Sequence, residues 1–195
     1  MEALWGWLHL DESRATRAEV ASVAAAIEAP VPDIRIDRNF ALAMSRHVVD
    51  PATQASSIFE STDASIWVAM NGEIDNRNEL LRHLESRGRR LASGLDAEIV
   101  LRLFEESGTR CARQIDGLFN IAIWNVTAQR LTLISDRPGG IKSLYYYRDS
   151  TMFAFGSAVK AIIAHPHVKR AIDSSVLPEC SCSGIRLRRI PCSAT

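Results

Sequence analysis

The stretch Trp-Val-Ala-Met-Asn-Gly-Glu-Ile-Asp-Asn at residues 67–76 is an apolar run that becomes polar at Asn71-Gly72-Glu73. An Asn-Gly pair favours a tight hairpin turn, but a hairpin needs a second alternating strand directly after it. A helix is predicted there instead. Asn76 lies three residues before Glu79, close to the spacing of a capping box, and an apolar stripe follows at Leu80, Leu81 and Leu84. The stretch therefore predicts a buried strand that ends in Asn-Gly without making a hairpin.

The elements on both sides of this stretch predict an α+β fold. Strands are predicted at 3–9, 40–49, 65–70, 117–126, 130–136, 141–147 and 151–157. Helices are predicted at about 14–28, 76–87, 97–107 and 158–164. The last four strands are joined by short polar or Gly/Pro segments, which is typical of an antiparallel meander. Because several strands are apolar on both faces, we expect two packed sheets with helices outside.

Composition limits the possible functions. The 195 residues are enough for one substantial domain, and 47% of them are hydrophobic. Lys plus Arg and Asp plus Glu both number 23, which argues against binding to nucleic acid or to an anionic membrane. The opening residues 1–10 are too few to span a bilayer and have neither a basic flank nor a small-residue cleavage site. We therefore expect a cytoplasmic protein.

The four cysteines predict no metal site. Cys111 falls in a predicted helix, whereas Cys180, Cys182 and Cys192 lie together near the end of the sequence. A C-x-C pair with one distant cysteine matches no usual zinc spacing, and no nearby histidine completes it. Reduced thiols and no metal ligands are expected.

Five motifs occur in one order along the chain: NGEIDNRNELLRHLESRGRRL, LDAEIVLRLFEESG, DGLFNIAIWN, LISDRPGGIKSLYYY and FGSAVKAIIAHP. Together they resemble the glutamine amidotransferase domain of asparagine synthetases, and the resemblance covers roughly residues 1–178. It implies a four-layer αββα sandwich of the N-terminal-nucleophile hydrolase type. It also implies hydrolysis of glutamine, with the ammonia passing to a separate synthetase domain that uses ATP and Mg.

The same resemblance implies roles for individual residues. Asn71 and Gly72 match the oxyanion hole, whose donors stabilise the negative oxygen of a tetrahedral intermediate. Arg46 matches the arginine that binds the α-carboxylate of glutamine, and Glu73 and Asp96 match the acidic groups that receive its α-ammonium. Simpler readings stay open: Asp96 as the N-cap of a helix that begins at Ala97, Glu73 as a solvated side chain and Arg46 as a surface charge.

The catalytic cysteine of the family is missing. Family members begin Met-Cys-Gly-Ile-Ala-Gly and this chain begins MEALWG, so that Glu2 stands at the nucleophile position. A carboxylate is a poor nucleophile toward an amide, and it places negative charge beside the developing oxyanion. We expect Met1 to be retained before Glu2, which displaces the terminal amine that serves as the base. Further departures are Asp75 in place of an aromatic residue and Ala158 in place of a glutamate.

These features lead to one favoured hypothesis and two alternatives. The favoured hypothesis is a degenerate amidotransferase-like domain of an ATP-dependent amide-forming ligase, similar to lasso-peptide cyclases or β-lactam synthetases, without glutaminase activity. The alternatives are a fragment of a glutamine-hydrolysing asparagine synthetase and a stand-alone module that binds glutamine or a related amino acid. Residues 1–172 are expected to form the domain, with 173–195 an irregular tail that is either the start of a missing synthetase domain or a frameshifted end. No cofactor is expected in this chain, since ATP and Mg belong to the synthetase domain, which is the expected partner.

Overall fold

The computed structural model describes residues 3–29, 32–45, 57–89, 91–136 and 142–170. The strands in these ranges are β1 (Ala3–His9), β2 (Asp33–Asp37), β3 (Phe40–Ser45), β4 (Ile58–Glu60), β5 (Ile66–Ile74), β6 (Gly117–Asn125), β7 (Arg130–Ser135), β8 (Tyr145–Arg148) and β9 (Met152–Gly156). The helices are α1 (Arg17–Ala26), α2 (Arg77–Ser86), α3 (Asp96–Ser107) and α4 (Val159–Ile163).

The strands form two antiparallel sheets. The first has the order β2-β3-β1-β9-β8 and the second the order β4-β5-β6-β7. One cluster of buried residues lies between the sheets, and two further clusters cover their outer faces with α1 and α4 on one side and α2 and α3 on the other. The predicted α+β class with two sheets between helices is therefore confirmed.

The layer between the sheets is built by the alternation of side chains along the strands. Leu4 of β1 packs in this layer, whereas Trp5 and Trp7 belong to the outer cluster on the helix side. The rings of Phe40 from β3 and Trp124 from β6 stack across the layer with centroids 4.0 Å apart and an interplanar angle of 13°. These two buried rings join the first sheet to the second.

The helices cover the sheets with narrow apolar faces. α1 begins with a capping box in which Thr16 and Glu19 exchange hydrogen bonds, and it buries Val20 and Val23. On the other side of the molecule, Leu84 of α2 and Ile99 of α3 are fully buried. None of the helices in the described ranges is long and apolar enough to cross a membrane.

The structure corrects several predictions about the central stretch. β5 does not end at Asn71 but continues through Gly72 to Ile74, still paired with β6. The Asn76 side chain makes no capping hydrogen bond to α2. Its amide instead donates to the Gln114 carbonyl at 2.8 Å and accepts from the Asp116 N–H at 3.1 Å.

Other predicted elements also differ from the structure. The last four strands are not one meander: β6 and β7 form a hairpin in the second sheet, whereas β8 and β9 form a hairpin in the first. β2 and β4 were not predicted at all. Cys111 lies in a helix, as predicted, and this helix is a short 3₁₀ segment, Gly108–Arg113. The predicted strand at 40–49 is observed over Phe40–Ser45, and the rest of it lies outside the described residues.

Candidate functional site

β5 and β6 place the Asn71-Gly72 pair in the middle of the second sheet. Asn71 is opposite Asn120, and Gly72 is opposite Phe119. Gly72 has a φ of +127°, and a Cβ on it would collide with the backbone carbonyl oxygen of Leu118. Glycine is therefore required here both by the backbone conformation and by the close approach of β6.

The Asn71 amide is buried, with 3% of the residue exposed, and its orientation is fixed by a lysine. Lys142 donates from Nζ to Asn71 Oδ1 at 2.9 Å. Because an ammonium has donors only, the oxygen of the amide faces Lys142 and the nitrogen is turned away from it. Lys142 therefore sets the orientation of the Asn71 amide, with the nitrogen on the side away from the ammonium.

A second buried amide lies beside Asn71 on the neighbouring strand. Asn120 accepts a hydrogen bond from Ser135 Oγ at 2.8 Å and donates from Nδ2 to the Ser143 carbonyl at 3.0 Å. Asn71, Asn120 and Ser135 are register partners on β5, β6 and β7, so they form a polar row across the sheet. Lys142 and Ser143, which lie just before β8, contact Asn71 and Asn120 of this row.

Asp96 lies close to this stretch, but its carboxylate is occupied within the protein. Its Oδ2 accepts from the Ile74 N–H at 3.0 Å, and its Oδ1 accepts from Arg77 Nε at 2.9 Å. Arg77 also donates to the Gly94 carbonyl. The alternative that Asp96 is an N-cap is wrong, because α3 begins at Asp96 itself and no side chain caps it. Arg77 therefore neutralises the Asp96 carboxylate, the group that the resemblance assigns to binding the α-ammonium of glutamine.

The loop that leads to Asp96 is held by a buried glutamate. Glu98 accepts hydrogen bonds from the backbone N–H groups of Ala92 and Ser93 at 2.8 and 2.7 Å, and from Ser93 Oγ at 2.6 Å. Burial opposes ionisation of Glu98, but these hydrogen bonds outweigh it and lower the pKa of the carboxyl below its usual value. An ionised Glu98 therefore fixes the loop and, through it, the position of Asp96.

The remaining predicted site residues are separated from this geometry. Glu73 is on β5, two residues after Asn71, and its side chain is exposed, which agrees with the solvated alternative. Arg46 and Glu2 lie outside the described residues. The structure therefore brings Asn71, Gly72 and Asp96 to one end of β5.

Cys111 is the only cysteine in the described part of the chain, and its environment makes it unreactive. It is fully buried in the cluster between the second sheet and its helices. Burial raises the pKa of its thiol to about 11, so that very little thiolate exists at neutral pH. Cys111 is therefore not suited to act as a nucleophile.

Sequence reasoning missed the two cationic partners of the site. Lys142 belongs to one of the five motifs and Arg77 to another, but neither was assigned a contact. Lys142 lies 71 residues from Asn71 in the sequence, and Arg77 lies 19 residues from Asp96. The observable signal was only that both cations occur inside motifs shared with the family.

Solved structures define the fold class. The chain is similar to the glutamine phosphoribosylpyrophosphate amidotransferase of Bacillus subtilis, with a TM-score of 0.66 at 13% identity. The similarity covers 83% of this chain and 43% of that protein. The fold is that of the N-terminal-nucleophile hydrolases, with two antiparallel sheets between helical layers.

The sequence comparisons define the family. The family model described as "Glutamine amidotransferase domain" matches residues 1–188. Asparagine synthetase [glutamine-hydrolyzing] 2 of Bacillus subtilis is 34% identical over 138 residues, which are 71% of this chain and 18% of the relative. Asparagine synthetase [glutamine-hydrolyzing] 3 of the same organism is 33% identical over 112 residues, or 57% of this chain and 18% of the relative. The chain belongs to the glutamine amidotransferase domains of the asparagine synthetase family, and it spans about a fifth of the length of these relatives.

Proposed function

We propose that this chain is a degenerate glutamine amidotransferase domain that lacks glutaminase activity. In this proposal it serves as a structural or recruiting module of an ATP-dependent, amide-forming ligase similar to asparagine synthetase. The observation that carries the proposal is Glu2, which stands where the family resemblance places the catalytic cysteine.

The chemistry at this position argues against amide hydrolysis. Cleavage through a covalent intermediate needs a nucleophile that attacks the amide carbon and a site that stabilises the resulting oxyanion. A carboxylate is a weak nucleophile toward an amide, and its charge repels an oxyanion held by Asn71 and Gly72. The oxyanion donors are thus retained without an attacking group.

The occupied state of Asp96 supports the same proposal. To bind the α-ammonium of glutamine, Asp96 would have to share or release the Arg77 guanidinium, which lies 2.9 Å away. Arg77 is in turn fixed by the Gly94 carbonyl, and Asp96 by the Ile74 N–H. This arrangement stabilises the end of β5, which is the task expected of a domain kept for its structure.

A ligase that needs no ammonia suits such a domain. Enzymes that activate a carboxylate with ATP and close an amide within their own substrate, as lasso-peptide cyclases and β-lactam synthetases do, make no use of glutamine hydrolysis. In this proposal, residues 1–172 form the domain, and a synthetase part that binds ATP and Mg is its partner. A glutamine-like small molecule is a second candidate partner.

The names of the relatives favour one alternative. Both are glutamine-hydrolysing asparagine synthetases, so the chain is then a fragment of an enzyme that transfers ammonia to aspartate. The two proposals differ in a single measurable property, which is the release of glutamate from glutamine.

The test is a glutamate-release assay on the purified chain with millimolar glutamine, next to an Asn71→Ala variant. The proposal expects the rate of buffer alone for both proteins, because no nucleophile is present. Removal of one oxyanion donor from an active site lowers the rate on the order of a hundred-fold or more. Glutamate release by the wild-type chain that Asn71→Ala abolishes would overturn the proposal in favour of the fragment.

A further inference from the structure

Three histidines and one glutamate converge on the outer face of the first sheet, far in sequence from the Asn71 site. His9 ends β1, Glu19 lies in the first turn of α1, and His165 and His167 follow α4. The ring centroids of the three histidines lie 5.5–6.0 Å from one another. We call these four side chains the histidine cluster.

The two carboxylate oxygens of Glu19 make different contacts. Its Oε2 is fixed by the capping box, where it accepts from the Thr16 backbone N–H and from Thr16 Oγ1, both at 2.8 Å. Its Oε1 faces the histidines instead, 3.4 Å from His9 Nε2 and 3.9 Å from His165 Nε2. One oxygen is therefore held in place while the other is directed into the cluster.

Two ring nitrogens in the histidine cluster are buried without a hydrogen bond. His9 and His165 are 2% and 1% exposed, and the Nε2 atom of each has no hydrogen-bond partner within the described part of the chain. The 3.4 Å contact of His9 with Glu19 is close enough for an ion pair but lacks hydrogen-bond geometry. Buried polar atoms normally have partners, so the orphaned Nε2 of His9 beside a carboxylate oxygen points to a missing ligand.

We propose that His9, Glu19 and His167 bind a divalent transition-metal ion, with Zn²⁺ as the ion that fits best. The three ligand atoms all lie within 4.8 Å of one another. Zn–N and Zn–O bonds of about 2.0–2.2 Å in a tetrahedral site place ligand atoms about 3.4 Å apart. His9 and Glu19 already have this separation, at 3.4 Å. His167 is exposed, so its ring can rotate to close the remaining distance without disturbing the core.

The donor set decides the class of ion. Two imidazoles and one carboxylate suit Zn²⁺ and related transition metals, whereas Ca²⁺ and Mg²⁺ prefer sites made of oxygen alone. Three protein ligands leave one position of a tetrahedral ion open. The exposed His167 places that position toward solvent, which also gives the ion a path into the site.

His165 has a supporting place beside the ion. Its Nδ1 accepts a hydrogen bond from the His167 backbone N–H at 3.3 Å, so a neutral ring carries its proton on Nε2. Its Nε2 lies 3.9 Å from Glu19 Oε1, beyond hydrogen-bond distance, and the ring makes an edge contact with Trp7 at 4.5 Å. His165 therefore packs beside Glu19 and His167 without serving as a ligand.

An ion at this position joins three separate elements. β1, the start of α1 and the segment after α4 each supply one ligand, so the bound ion links the first sheet to the helices that cover it. Because it binds only the folded chain, it raises stability by mass action. This proposal is independent of the glutaminase question, since none of its ligands belongs to the Asn71 site.

The test uses the full-length untagged chain, treated with EDTA, in which Cys180, Cys182 and Cys192 are replaced by serine so that thiolates cannot hold zinc. Calorimetric titration with Zn²⁺ is expected to give one site per chain. At a hundred-fold excess over the dissociation constant, Tm is expected to rise by about 5–10 °C. Titration with Co²⁺ is expected to give the strong visible absorption of a four-coordinate ion.

His167→Ala tests the ligand set without endangering the fold, because the side chain is exposed. It is expected to weaken Zn²⁺ binding by about tenfold or more and to remove most of the rise in Tm. The control is His83→Ala, which removes a histidine that also faces a carboxylate, Glu106 at 3.3 Å, but on the opposite side of the molecule. This control is expected to bind Zn²⁺ as the parent does. Absence of stoichiometric binding in the parent, or equal affinity in His167→Ala and the parent, would overturn the proposal.

Discussion

Replacement of Gly72 with alanine is a direct test of the geometry of β5, because it should lower the free energy of unfolding in two separate ways. The first cost is conformational: at a φ of +127° an L-residue is strained, by about 1–2 kcal/mol for a left-handed backbone. The second is steric, since the new Cβ would collide with the Leu118 carbonyl of β6. Overpacking of this kind typically costs about 1–3 kcal/mol. We expect Gly72→Ala to lower the free energy of unfolding by about 2–5 kcal/mol.

Two other glycines separate the two costs. Gly88 has a φ of +72°, and no atom lies within 4 Å of the place that an alanine Cβ would occupy, so Gly88→Ala carries the conformational cost alone. Gly6 has no positive φ, but its Cβ would meet the Ala41 carbonyl and the Phe155 ring at 2.5 and 2.7 Å, so Gly6→Ala carries the steric cost alone. We expect Gly88→Ala to lose about 1–2 kcal/mol, Gly6→Ala about 1–3 kcal/mol, and Gly72→Ala about their sum.

The assay is urea unfolding followed by tryptophan fluorescence, with the slope m checked for constancy among the variants. Trp124 is fully buried between the sheets and reports on loss of their packing. For a domain of this size, each kcal/mol corresponds to about 2–4 °C in Tm, which gives an independent measure. A Gly72→Ala variant as stable as Gly88→Ala would show that β6 does not approach Gly72 closely, and the reasoning would be refuted.

Three further predictions concern the surroundings of the site and the core. Asp96→Ala should lower the free energy of unfolding in urea by about 1–3 kcal/mol, because the Ile74 N–H loses its acceptor. Arg77→Ala removes only a partly exposed ion pair and should cost about 1 kcal/mol. Equal losses in the two variants would contradict this ranking. Cys111, whose thiol pKa burial raises to about 11, should resist iodoacetamide at pH 8 and react only after unfolding in denaturant, as read by peptide mass spectrometry. An unfolded thiol ionises near pH 8.5, so the contribution of Cys111 to folding stability decreases as pH rises from about 8.5 toward 11. Rapid labelling of native Cys111 at pH 8 would contradict its burial. Phe40→Ala, which removes the ring stacked on Trp124, should cost about 3–5 kcal/mol by the same unfolding assay, and a loss under about 1 kcal/mol would show that the sheets do not pack through this pair.

Much of the architecture could be predicted because the strongest sequence patterns coincide with the core. The first strand is observed at Ala3–His9, as predicted, and Gly117–Asn125 matches its predicted strand within one residue. Both strands lie near the centres of their sheets, where burial on two faces demands apolar residues. The helices α1, α2 and α3 were also predicted within a few residues, since α1 is rich in alanine and α2 and α3 each have an apolar stripe.

The missed strands are short, polar and peripheral. β2, with the sequence Asp-Ile-Arg-Ile-Asp, is the edge of the first sheet, and Arg35 on it pairs with Asp33 and with Glu60 of β4. Charged and apolar residues alternate strictly in β2, which is a signal for a strand, but its many charges also resemble the composition of a loop. β4 has only three residues, Ile58–Glu60, which is too few for a periodic pattern.

Motifs identify residues of a candidate site but not their partners. Asn71 and Gly72 lie on β5, and Asp96 accepts a hydrogen bond from Ile74 three residues further along it, while the roles predicted for them stay predictions. The cations that bind these side chains, Lys142 and Arg77, follow from how β8 and α2 are arranged in three dimensions. The histidine cluster escaped prediction for the same reason, since its members come from opposite ends of the described chain.

The most direct test of the central claim is covalent trapping with a diazoketone analogue of glutamine, read by intact-protein and peptide mass spectrometry. Such a compound alkylates the activated nucleophile of a glutaminase, and excess glutamine protects against it. We expect no glutamine-protected adduct, because the family resemblance places Glu2 at the position of the nucleophile. A stoichiometric adduct that glutamine prevents would show a functional nucleophile and would contradict the account.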